Sequence, residues 1–75
     1  MSNDQPPPDD GSTAAAERLV AWWQRRYDRL ACIVGSMIPS GQVYAEAIEE
    51  KEDAWQQVRQ HMSAAVLRKH YETPA

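Results

Sequence analysis

Residues 37–44 read MIPSGQVY, and they divide the chain into two halves. Pro39 pushes Ile38 away from helical angles and ends whatever helix precedes it. Ser40 offers an N-cap hydroxyl for whatever follows. On either side, residues 13–37 and 41–71 contain no proline. In both halves the apolar residues recur at helical spacing. The first half carries Ala16, Val20, Trp23, Tyr27, Leu30, Val34 and Met37, with Ser12 or Thr13 as a starting cap. The second carries Tyr44, Ile48, Trp55, Val58, Met62 and Val66, interrupted by Lys51. No strand alternation appears. A connection as short as 38–41 forces two long helices to lie antiparallel. The sequence therefore predicts an all-α, antiparallel two-helix hairpin, helix one over about 13–37 and helix two over about 41–71.

Outside the hairpin the chain changes character. Residues 1–12, MSNDQPPPDDGS, hold three prolines and three aspartates but nothing large enough to bury. This composition predicts a disordered acidic tail. Residues 73–75 follow the last helical turn and are expected to fray. The start has neither a basic cluster nor an apolar run, and no stretch is apolar enough to span a membrane. With a single cysteine, Cys32, we expect a reducing, cytoplasmic setting.

A chain of 75 residues has a small core and needs support from elsewhere. One cysteine cannot form an internal disulfide. Cys32, His61 and His70 lack metal-ligand spacing, so no metal and no cofactor is expected. Self-association remains. On the second helix Ala47, Ala54, His61 and Ala65 form a small-residue shoulder beside the Trp55 stripe. Small side chains let another helix approach closely, so these four are the expected self-association face of a homodimer, giving a helical bundle.

Charge supports the hairpin. Net charge is −3, yet it is unevenly spread. The segment EAIEEKED, 46–53, carries five acids and one lysine. Folding at residues 38–41 brings it beside the arginines of helix one, Arg26 level with Asp53 and Arg29 with Glu50. Such surface pairs guide register more than they stabilise.

The chemistry available points to binding. Two helices offer no enclosed pocket, and no nucleophile has a neighbouring base, so no catalytic residue and no enzyme activity is expected. Arg18, Trp22, Arg25, Arg29 and Ile33 fall on one line of the helix, turned away from the Trp23 stripe. Arginine and tryptophan are the residues most enriched at binding hot spots. This ridge is the expected partner-binding site, with a further apolar patch at Leu67 and Tyr71 beside Ala64. The sequence thus predicts a small protein-interaction module: an adaptor, an assembly factor or an inhibitor of a larger protein or complex. The alternative is a regulatory nucleic-acid-binding protein using Arg18, Arg25 and Arg29, or an acidic inhibitor that imitates nucleic acid. The net negative charge disfavours nucleic acid as the partner.

Overall fold

The computed structural model describes residues 5–72. The chain is an all-α helical hairpin: α1 covers Thr13–Ser36 and α2 covers Gly41–Glu72. Residues 1–4 of the expected tail, and the expected frayed end 73–75, lie outside the described residues.

α1 begins where its cap dictates. Ser12 is extended, with φ −84° and ψ 161°, and its hydroxyl accepts from the Ala15 N–H at 3.0 Å. At the other end Met37 leaves the helix, its N–H donating to the Val34 carbonyl at 3.1 Å. The Ser40 N–H then donates to the Ile38 carbonyl at 2.7 Å. The chain enters α2 through Gly41, whose φ of +90° suits only glycine. That backbone turn stands where the sequence suggests a Ser40 cap.

The two helices form one layer, with principal extents of 53 × 28 × 15 Å. α1 uses the face its periodicity indicates. Ala16 and Leu30 are buried, and Val20, Trp23, Tyr27, Val34 and Met37 are half-buried. Ala15 and Leu19 join them in the core. Leu19 stands three residues after Ala16 and four before Trp23, so helical spacing admits it to the same face.

α2 is rotated from its expected phase. Of the stripe from Tyr44 to Val66, only Val58 is buried. Trp55, Met62 and Val66 are 45%, 51% and 72% exposed. The seam is made instead by Ala47, Ala54 and Val58, with His61 and Ala65 half-buried. The expected self-association face is therefore the face that packs on α1, and Ala47 and Ala54 have no surface left for a second copy. The reason is steric. Both helices set alanines in the seam, Ala15 and Ala16 on α1 and Ala47 and Ala54 on α2, so the axes come closest over small side chains. The large residues of α2 are turned to the flank. There Trp55 meets Tyr27, ring centroids 5.4 Å apart and planes tilted by 45°. Lys51 follows the same flank, its Nζ 5.9 Å from the centre of the Tyr27 ring.

The ends of the helices are clipped together. Thr13 donates both its N–H, at 3.1 Å, and its hydroxyl, at 2.6 Å, to one carboxylate oxygen of Glu72. A carboxylate at the end of its own helix is poorly placed against that helix's dipole. Here it reaches the N-terminus of α1, where negative charge is favoured.

Candidate functional site

The layer has two open sides, and different chemistry collects on each. Trp22 and Tyr27 are five positions apart, roughly 140° around α1 at about 3.6 residues per turn. They therefore look to opposite sides of the hairpin.

On the Trp22 side, Arg18, Ala21, Trp22, Arg25, Arg26 and Arg29 line a cleft of about 620 Å³. Its other wall is Gln5 and Pro7 of the N-terminal segment. Trp22 is half-buried, with its ring edge-on to Trp23 at a centroid distance of 4.9 Å. Arg26 is drawn towards α2, its Nη2 lying 3.9 Å from Glu50 Oε1. It thus reaches Glu50, where the sequence register indicated Asp53. Glu46, Glu49, Glu50 and Asp53 surround it in a second, acidic hollow. Arg25 and Arg29 form no ion pair among the described residues. Ile33 extends the ridge and is exposed.

The N-terminal segment reaches the cleft because it is anchored. Arg68 grips Asp9 with both ends of its guanidinium, at 2.9 and 3.0 Å, and also donates to the Ser12 carbonyl at 3.0 Å. Asp9 and Asp10 each accept a backbone N–H two residues on, from Gly11 and Ser12. Of the stretch expected to be a disordered tail, Asp9 to Ser12 is thus tied to α2. Nothing local announces this, because Asp9 and Arg68 are 59 positions apart. Gln5 and Pro7 become part of the site for the same reason.

The Arg68 guanidinium, helped by the Gly11 N–H, holds the Asp9 carboxyl down at about 2. The two Thr13 donors likewise lower Glu72. Both shifts are depressions, so both contacts favour the folded arrangement above the ordinary carboxylate value of 3.8 for Asp9. The Asp9 contribution fades as pH falls towards 2. Carboxyl-carbon NMR should give Asp9 a midpoint near 2 in the native chain. In Arg68→Gln the midpoint should return to the ordinary range, and a native midpoint already in that range would mean that the strap is not held.

The opposite side is apolar. Trp55, Met62 and Val66 lie along α2, and a shallow hollow of about 480 Å³ joins Met62, Ser63, Val66, Leu67 and His70. Leu67 and Tyr71 are exposed, with Ala64 half-buried beside them. Tyr71 packs edge-on to His70 at 5.5 Å. The expected terminal patch thus merges with the flank of α2 through Leu67.

Cys32 is a free, exposed thiol. Among the described residues no three histidine, cysteine or acidic side chains gather to hold a metal ion. No helix among them is long and apolar enough to cross a membrane. No protein-family model, curated protein or solved structure matches the chain.

Proposed function

We propose that this chain is a non-catalytic interaction module, an adaptor, assembly factor or inhibitor, that binds an acidic, extended segment of a partner protein in the arginine cleft. The observation that carries this reading is the convergence of Arg18, Arg25 and Arg29 on half-buried Trp22, with Gln5 and Pro7 opposite. Guanidinium groups bind carboxylates through two parallel hydrogen bonds, and the indole offers an apolar floor between them.

Spacing favours an extended ligand. Arg25 and Arg29 are one helical turn apart, about 6 Å along the axis. Alternate residues of an extended strand rise by about 6.6 Å. Acids at every second position would therefore meet successive arginines. A long polyanion is less well served. Glu46, Glu49 and Asp53 gather beside Arg26, and Asp10 lies close enough to Arg18 to feel its charge. They would repel any polyanion long enough to run past the cleft, phosphate or carboxylate alike, which favours a short acidic segment held between them. The unpaired Cys32 fits a reducing compartment, and we place the module in the cytoplasm.

Fluorescence polarisation tests this reading. The probe is a labelled peptide alternating glutamate with proline, and a labelled single-stranded DNA of similar length is the comparison. The peptide should bind, and Arg25→Glu with Arg29→Glu should weaken it by on the order of tenfold or more. Both side chains are exposed, so the helical circular dichroism should persist. Binding of the DNA but not the peptide would replace this reading with nucleic-acid recognition. Binding of neither would end it.

A further inference from the structure

The apolar flank of α2 has an internal symmetry that the cleft does not share. Its members are Tyr44, Ile48, Trp55, Met62 and Val66, separated by four, seven, seven and four residues. The order of spacings is the same from either end, with Trp55 at the centre. At about 100° per residue all five lie within roughly 20° of one line along the helix. Tyr44 and Ile48 are half-buried, while Trp55, Met62 and Val66 are exposed.

We infer that this flank pairs with the same flank of a second copy, antiparallel, with Trp55 at the two-fold axis. A two-fold interface must be self-complementary: if one residue meets another, the second meets the first. A row of side chains symmetric about its own centre meets that condition. Antiparallel pairing sets Ile48 against Met62 of the partner subunit and Tyr44 against Val66 of the partner subunit.

Charge selects the direction. Before Trp55, α2 carries Glu46, Glu49, Glu50, Glu52 and Asp53 against Lys51. After it come Arg59, Arg68 and Lys69 against Glu72. Glu46, Glu49, Glu50 and Asp53 gather about Arg26 on the other side of the hairpin, so the acid beside the stripe is Glu52, which antiparallel pairing brings to Arg59 of the partner subunit while opposing the helix dipoles. Glu52 and Arg59 stand on the same edge of the stripe. In the antiparallel pair each comes within one residue of level with its counterpart, Arg59 or Glu52 of the partner subunit.

The pairing also supplies what a layer 15 Å thick lacks. Stacking two hairpins makes a four-helix bundle, with Trp55, Met62 and Val66 in its interior and the Tyr27 edges of the two α1 helices side by side. The arginine clefts stay on the outer sides, so the assembly would present two. This inference rests on residues separate from the cleft, and either can fail without the other.

Sedimentation equilibrium at micromolar concentration should give twice the chain mass of 8.5 kDa. Trp55→Glu should weaken association on the order of a hundredfold, as expected for a central aromatic anchor. Met62→Glu, at a position that makes little of the monomer's core, should also shift the mass towards the monomer while helical circular dichroism is kept. Glu52→Arg and Arg59→Glu should each weaken the dimer, and the double variant should restore it. A wild-type monomer that unfolds cooperatively would overturn the inference. So would a dimer indifferent to both Trp55→Glu and Met62→Glu, or a double variant no better than its parents.

Discussion

Ala54→Leu is expected to destabilise the hairpin by about 2 kcal/mol, the usual scale for forcing extra methyl groups into a packed interior. Ala54 is 0% exposed and sits where α2 comes up to α1. A leucine there must push the helices apart or adopt a strained rotamer. Ala45 is the control, because it is exposed on the same helix. Ala45→Leu should change stability by less than about 0.5 kcal/mol. Chains of this size have only a few kcal/mol of stability in all. A loss of about 2 kcal/mol is therefore a large fraction of the total and readable in a urea melt followed by circular dichroism. The comparison also tests the rotation of α2. Were Trp55 pointing at α1, Ala54 would stand at the shoulder and both leucines would be tolerated alike.

Leu19→Ala is expected to cost about 3 kcal/mol, within the range for removing a buried leucine side chain. Leu19 is 4% exposed in a core otherwise built largely from alanines, so few neighbouring atoms can move in to fill the space. Leu67 provides the matching control at 57% exposure. Leu67→Ala should change stability by less than about 0.5 kcal/mol. Equal losses at the two positions would mean that the N-terminal half of α1 is not seated on α2 as described.

Leu19 also shows how much of this fold is legible in the chain. Its spacing from Ala16 and Trp23 places it on the inner face of α1, and the apolar residues of α1 concentrate on that face. Periodicity therefore finds the orientation of α1 without help. On α2 the apolar residues spread around the helix: Trp55 and Met62 on one flank, Ala54 and Val58 inward, Leu67 and Tyr71 elsewhere. Several phases then satisfy the same pattern. The larger residues suggest one orientation, and close packing selects another.

The candidate site divides in the same way. Arg18, Trp22, Arg25 and Arg29 share a helix, so their common line follows from helical spacing alone. The wall of Gln5 and Pro7 depends on Asp9 meeting Arg68, a pairing made between distant parts of the chain. An ion pair between distant residues leaves no periodic trace.

By itself, then, the sequence determined two helices, the break at Ile38 and Pro39, a hydroxyl cap at Ser12 or Thr13, the inner face of α1 and the arginine ridge. Each is a short-range consequence of backbone angles or of side chains spaced on one helix. Only the tertiary structure decided that Ala47, Ala54 and Val58 form the seam, that Trp55 stands outward, and that the N-terminal segment closes one side of the ridge. Those depend on which surfaces can approach most closely, and volume and distance between separate elements settle that.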